Sequence, residues 1–213
     1  ILYSFGLEAD WSFEEDFYHL TKSKIYCYDH TVNWKFFLKL FLGNPKTILK
    51  FFQYKFFFDN KDKLDIRKMI CPTKSYSPSL NENSLADLDS IIKTTVDKRN
   101  FFKIDIEGHE YRILDQIKEY SSSMNGLAIE FHNCDLHSDK IKNFINNFEL
   151  QLVHIHVNNW ALVNSDNSPR VIELIFSTKD FNKKIKNFQK KFPISMDVPN
   201  NPLYEDLSIE FND

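Results

Sequence analysis

Asp105 and Glu107 stand two residues apart at the end of an apolar run, FFKIDIEG, and polar residues recur in the same kind of place elsewhere. Glu130 and His132 close GLAIEFH; His156, Asn158 and Asn159 close QLVHIHVNN. Residues i and i+2 of a strand share one side, so each set points one way. If these strands lie in one sheet, the groups converge. Burying several carboxylates and imidazoles without partners is costly, so the economical inference is a polar site. Glu107, Glu130, His132 and His156 also offer the mixed oxygen and nitrogen donors that a divalent cation accepts, although their spacing matches no compact metal motif. The structural alternative is that Glu107 caps the next helix and Asp105 orients a loop.

The elements that must position these residues are legible. Phe101, Phe102, Ile104 and Ile106 predict a strand buried on both faces, and Tyr111, Ile113, Leu114 and Ile117 carry helical spacing. Gly108 lets the backbone turn between them. Ile1 to Phe5 predicts a first strand, broken at Gly6. Ser12 with Glu15 reads as a capping box opening a helix striped by Phe13, Phe17 and Leu20. Ile25 to Tyr28 predicts a second strand ending at Asp29 and His30. An acid there commonly accepts hydrogen bonds from the ribose hydroxyls of an adenine cofactor; its alternative is a helix N-cap or turn residue.

Asp65 to Cys71 predicts a third strand and Ser84 to Ile92 a helix. Gly126 to His132 is a further strand, followed by a helix striped by Ile141, Phe144, Ile145 and Phe148. Gln151 to Asn159 and Val171 to Phe176 form an antiparallel pair across the loop from Trp160 to Arg170, with Glu173 set among apolar neighbours. Alternating helix and strand gives an α/β, doubly wound sheet whose carboxyl edge binds ligands.

Residues 33 to 58 predict two aromatic helices separated at Gly43-Asn44-Pro45. Lysines interrupt every window, so no span of about 20 apolar residues exists. The pair reads first as a helical cover over the substrate edge of the sheet, inserted after the second strand. The alternative is a basic-aromatic helix lying on a membrane as a peripheral contact.

With 42% hydrophobic and 27% charged residues the chain reads as ordered and soluble, and its 213 residues suit one α/β domain. A formal charge of -3 gives no nucleic-acid footprint. Cys27, Cys71 and Cys134 lack metal spacing and read as free thiols of a reducing compartment, and no signal peptide is visible, so a cytoplasmic location is expected. The whole chain, 1–213, is expected to be one domain.

KIDIEGHE followed by an Ile-Leu helix resembles the signature of the FkbM-type methyltransferases. YSFGLEADWSFE, SLADL, IEFH, HIHVNNW, VIELIF and the tail DVPNNPLYEDLSIEF resemble corresponding family segments, so the likeness spans essentially the whole chain. It implies a class I, Rossmann-like fold with a mostly parallel seven-stranded sheet and an antiparallel last pair. It also implies methyl transfer from S-adenosylmethionine to a hydroxyl oxygen of a glycan or secondary-metabolite acceptor. On that resemblance Ser4, Phe5, Gly6, Glu8, Asp29, His30 and Asp105 hold the cofactor. His132 or His156 is the base, and Asp105 or Glu107 orients it or holds substrate. Glu130, Asn158 and Asn159 bind the acceptor. A divalent metal on Glu107, Glu130, His132 and His156 is possible but not favoured. The chain departs from the pattern in its first loop, which keeps only Gly6.

A rival from another class keeps the fold without catalysis and binds a carbohydrate or protein, and the glycine-poor loop favours it. A nucleotide-dependent oxidoreductase is disfavoured because no GxGxxG occurs.

Overall fold

The computed structural model describes residues 1–7, 10–59, 62–66, 69–71, 85–93, 99–161, 163–165, 168–178 and 191–210. The chain separates into two compact units, Ile1–Lys103 and Ile104–Asp213. Its strands are β1 (Leu2–Phe5), β2 (Ile25–Tyr28), β3 (Lys63–Ile66), β4 (Met69–Cys71), β5 (Leu85–Asp87), β6 (Asn100–Ile104), β7 (Met124–Phe131), β8 (Gln151–Val157), β9 (Ile172–Ser177), β10 (Lys191–Phe192) and β11 (Ile209–Glu210). Its α-helices are α1 (Ser12–Thr21), α2 (Trp34–Gly43), α3 (Ile48–Phe58), α4 (Leu88–Lys93), α5 (Leu114–Glu119) and α6 (Cys134–Asn147). The main sheet has seven strands in the order β3-β2-β1-β6-β7-β9-β8, an α/β, Rossmann-like arrangement with an antiparallel last pair.

In the first unit β1, β2 and β3 are parallel neighbours, with Leu2 opposite Ile25 and Ile25 opposite Lys63. All four residues of β1 are buried, as expected of a parallel strand covered on both faces. Leu2, Leu7, Trp11, Ile25, Cys27 and Val32 form a core with Phe37, Tyr54 and Phe57 from α2 and α3. The two aromatic helices expected after the second strand are present. Asn33 caps α2 by accepting from the amides of Lys35 and Phe36, and Asn44 turns the chain toward α3 by accepting from Lys46.

Three local expectations are corrected. The predicted third strand is two: β3 joins the main sheet, whereas β4 pairs in parallel with β5 in a separate ribbon. That ribbon takes up Leu85–Asp87, so the helix expected from Ser84 begins at Leu88, where Asp87 accepts from the Asp89 amide and the Ser90 hydroxyl. At α1 no Ser12 capping box forms. Ser12 is already the first helical residue, and its amide donates to Asp10 at 2.9 Å.

In the second unit β7, β9 and β8 are successive antiparallel neighbours. Phe131, Phe144 and Phe176 meet edge-on at 5.6–6.0 Å between centroids and fasten α6 to this sheet. One row of the ladder sets Glu130 opposite Glu173, and Glu173 opposite His156. Paired residues share a face, so three ionisable groups stand in line.

Candidate functional site

The strand leading to Asp105 ends at Ile104, so Asp105 and Glu107 lie in the following turn rather than in the strand as expected. Glu107 at φ 55° and Gly108 at φ 88° are both left-handed. For Gly108 this is inexpensive, but for Glu107 it costs about 1–2 kcal/mol. The turn opens into a 3₁₀ segment, Glu110–Arg112, before α5. Glu110 rather than Glu107 closes it. This wholly buried carboxylate accepts through Oε1 from the amides of Ile106 at 3.0 Å and Gly108 at 3.2 Å.

Glu110 also grips His132, the first residue after β7. His132 Nδ1 is 3.2 Å from Glu110 Oε1. On the other side of the ring, Nε2 is 3.2 Å from Glu130, 3.4 Å from Glu107 and 3.9 Å from Asp105. With carboxylates on both ring nitrogens, each nitrogen serves as a donor and the ring is an imidazolium. Burial alone would lower its pKa, but the hydrogen bonds and charges of Glu110 and Glu130 outweigh that and push it up to about 10. Tyr111 donates from its hydroxyl to the His132 carbonyl at 2.6 Å, fixing the backbone. Asn133, next in the chain, is also left-handed at φ 51°. The Glu107 side chain is 64% exposed and is the accessible member of the cluster.

Asp105, Glu107, Glu130 and His132 are therefore brought together, and Asn158 joins through a 3.4 Å contact from Nδ2 to Glu130. His156 occupies a neighbouring group. Its Nδ1 is 3.3 Å from Glu173 and its Nε2 is 2.8 Å from Asp206. The Glu173 hydrogen bond leads in raising its pKa to about 9; burial opposes the rise and Asp206 adds to it. For Glu173, burial favours the neutral form, yet His156 and Asn200 hold its pKa below the usual carboxylate range.

Asn159 faces the C-terminal segment. Its side chain donates to the carbonyls of Asn201, Tyr204 and Glu205 and accepts from the Asn201 amide at 2.6 Å. Sequence reasoning did not single out Glu110 or Asp206; an acid two residues past Gly108 was the available signal for the first, and no local pattern pointed to the second.

Among the described residues, Asp105, Glu107 and His132 present ligand atoms within 4.8 Å of one another, a spacing a cation could bridge only if the His132 imidazolium gave up a ring proton. His156 is outside that group, so the four-residue metal set read from sequence is not assembled as such. A cavity of about 690 Å³ opens in the same unit beside Cys134, Ser138 and Ile172.

In the first unit Gly6 follows β1 at φ 86°, and its amide donates to the Tyr28 carbonyl at 3.0 Å. Asp29 directly follows β2 and is only 6% exposed. Its Oδ2 accepts from the Leu7 amide at 2.9 Å, and its Oδ1 accepts from the amide and hydroxyl of Thr31 and from the Val32 amide. Asp29 thus ties the loops after two parallel strands together, while His30 beside it is exposed. Ser4 is buried and donates to Glu14; Phe5 is core, packed on Tyr28 and Phe102. Glu8 lies outside the described residues. Lys103 and Glu14 were missed by the sequence reading. Lys103 Nζ donates to the Gly6 carbonyl at 3.0 Å and lies 3.4 Å from the wholly buried Glu14 carboxylate. A lysine inside FFKI was the available signal.

No family model matches the chain, and no curated protein does. Solved structures show distant likeness. The protein SMU.1697c of Streptococcus mutans, in complex with SAH, is 14% identical with a TM-score of 0.42 over 82% of this chain and 88% of that one. The fibrillarin/Nop5p complex is 9% identical with a TM-score of 0.44 over 83% and 71%. An rRNA methylase from Streptococcus thermophilus is 11% identical with a TM-score of 0.42 over 84% and 87%. Likeness at this level assigns no family and no activity, and the architecture rests on the chain's own strand order.

Proposed function

We propose that this chain is an S-adenosylmethionine-dependent methyltransferase of the FkbM type that methylates a hydroxyl oxygen of a glycan or secondary metabolite. The observation that carries the reading is His132, held as an imidazolium by Glu110 and facing Asp105, Glu107 and Glu130 beyond the carboxyl ends of β6 and β7. Open α/β sheets bind ligands at that edge. A left-handed Glu107 in the same turn is backbone strain of the kind that gathers at functional sites.

The cofactor assignment is supported by chemistry within the first unit. Gly6 places backbone without a Cβ directly after β1, and Asp29 places a carboxylate at the end of the adjacent parallel strand. Gly6, Asp29 and His30 would hold the cofactor, with Ser4 and Phe5 shaping the strand end, and Glu8 and Asp105 keep the cofactor roles the family likeness gives them. When bound, S-adenosylmethionine supplies an electrophilic methyl group on a sulfonium.

The acceptor hydroxyl must lose a proton as its oxygen forms the new bond. An imidazolium already carrying two ring protons cannot take it. We therefore assign the proton to Glu107, the exposed carboxylate, with His132 as the positioning residue that holds Glu107 and Glu130 in place. Asp105 orients the same ring from 3.9 Å. Asn158 and Glu130 would hydrogen-bond the acceptor. Asn159 and His156 serve the site by anchoring the C-terminal segment.

The non-catalytic module is the second reading, favoured by one observation. The Gly6 carbonyl already accepts from Lys103, and the Asp29 oxygens already accept from four donors. Calorimetric titration with S-adenosylmethionine, and separately with S-adenosylhomocysteine, separates the two. Micromolar binding, weakened about tenfold or more in Asp29→Ala, supports the enzyme. A folded chain that binds neither ligand assigns it to the module.

A further inference from the structure

We propose that the outward side of α2 and α3 is a peripheral docking surface for an anionic lipid bilayer. The two helices bury one side only. Phe37, Tyr54 and Phe57 enter the core of the first unit, and Phe36, Leu40, Phe51 and Phe58 pack partly against it. On the other side Leu38, Phe41, Leu42, Ile48, Leu49, Phe52 and Phe56 face solvent, with Leu42 75%, Phe52 60% and Phe56 85% exposed. Single exposed apolar residues need no explanation, but so many on one helical hairpin mark a surface that meets something apolar.

Charge identifies the occupant. From Thr31 to Phe58 the sequence contains no acidic residue and five lysines, in a chain whose formal net charge is -3. Lys35, Lys39, Lys50 and Lys55 on the same two helices as the apolar residues, and Lys46 in the 3₁₀ turn that joins them, are all exposed. A bulky apolar face interleaved with lysine stems suits the boundary between anionic headgroups and acyl chains. There the rings leave water, the aliphatic stems lie along them, and the ammonium groups reach phosphate and carboxylate. A protein partner of ordinary composition offers no reason for the complete exclusion of Asp and Glu. No helix among the described residues is long and apolar enough to cross a membrane, so the hairpin lies on the bilayer. This inference is independent of the proposed methyl transfer.

The test is flotation of the full chain with phosphatidylcholine vesicles and with vesicles of phosphatidylcholine mixed with phosphatidylserine. The chain should float with the mixed vesicles about tenfold more than with the neutral ones. Raising NaCl from about 0.1 M to about 1 M, which shortens the screening length from about 10 Å to about 3 Å, should release it. Phe52→Ser with Phe56→Ser should lose about tenfold of the binding, and Lys39→Glu with Lys46→Glu and Lys55→Glu should lose as much. These side chains are exposed, so an unchanged far-ultraviolet circular dichroism spectrum is expected. Absence of wild-type flotation, or equal flotation with neutral vesicles, would overturn the proposal. So would a dimer in light scattering that the two-phenylalanine variant splits, which would give the face to a second copy of the chain.

Discussion

His156 lies directly across the β8–β9 ladder from Glu173, and its Nδ1 stands 3.3 Å from that carboxylate while Nε2 meets Asp206 at 2.8 Å. Two acids on one buried imidazole make folding depend on its charge. The pKa is raised from 6.5 to about 9, so the folded state binds the proton more tightly than the unfolded chain. The resulting stability, roughly 3 kcal/mol, is complete below pH 6.5 and is lost as pH rises through about 9. Thermal unfolding should show a melting temperature that falls across that interval. In His156→Gln the fall should be shallower, with the part that His132 contributes up to about pH 10 remaining, and the protein less stable at pH 6. An unchanged alkaline slope in that variant would show that His156 is not the titrating group.

Glu107 separates strain from chemistry. Asn tolerates its left-handed backbone better than Glu, so Glu107→Asn should keep or slightly raise the melting temperature. Removal of the carboxylate should lower kcat about 100-fold or more if Glu107 takes the acceptor proton. Turnover within about threefold of the wild type would move that role to another group.

Glu110 acts through His132. In Glu110→Gln the side-chain oxygen can still accept from the Ile106 and Gly108 amides, so the turn should persist, whereas the charge behind the imidazolium is gone. Nuclear magnetic resonance titration of the His132 C2–H should show protonation at lower pH than in the wild type. Glu110→Ala, which strands both amides, should instead destabilise by about 3 kcal/mol. If His132 titrates identically in the Gln variant, the hold from Glu110 is not what sets its charge.

Chelation tests the role of His132 from another direction. Bound on both nitrogens by carboxylates, the ring has no lone pair to offer a cation, so the proposed methyl transfer should survive dialysis against EDTA. A loss of about tenfold, restored by Mn²⁺ or Mg²⁺, would make Asp105, Glu107 and His132 ligands instead.

What could be read from the sequence was whatever depends on local pattern. The apolar runs of β1, β2, β7 and β9 and the aromatic helices α2 and α3 stand in the order of residue types alone. The convergence expected of seven polar residues holds for Asp105, Glu107, Glu130, His132 and Asn158, whereas His156 and Asn159 turn to the C-terminal segment. Long-range pairing was not legible. The split of residues 65–71 between two sheets depends on where Leu85–Asp87 lies. Capping depended on which of several nearby acids wins: Asp10 displaced Ser12, and Glu110 displaced Glu107. Charge states were hidden too, since His132 and His156 look alike in sequence until Glu110 and Asp206 reach them.

The segment from Asn200 to Asp206 has little secondary structure, yet Asn200 donates to Glu173, Asn159 clasps the backbone of Asn201, Tyr204 and Glu205, and Asp206 meets His156. This stretch works as a keystone set from outside into the row of charges on β8 and β9. A shortened version ending before Asn200 would leave that row without its closing pieces, so fusion junctions and trimmed expression boundaries belong beyond Asp206. A chain severed just ahead of the segment offers a complementation assay, in which a synthetic peptide carrying these residues should restore the missing stability.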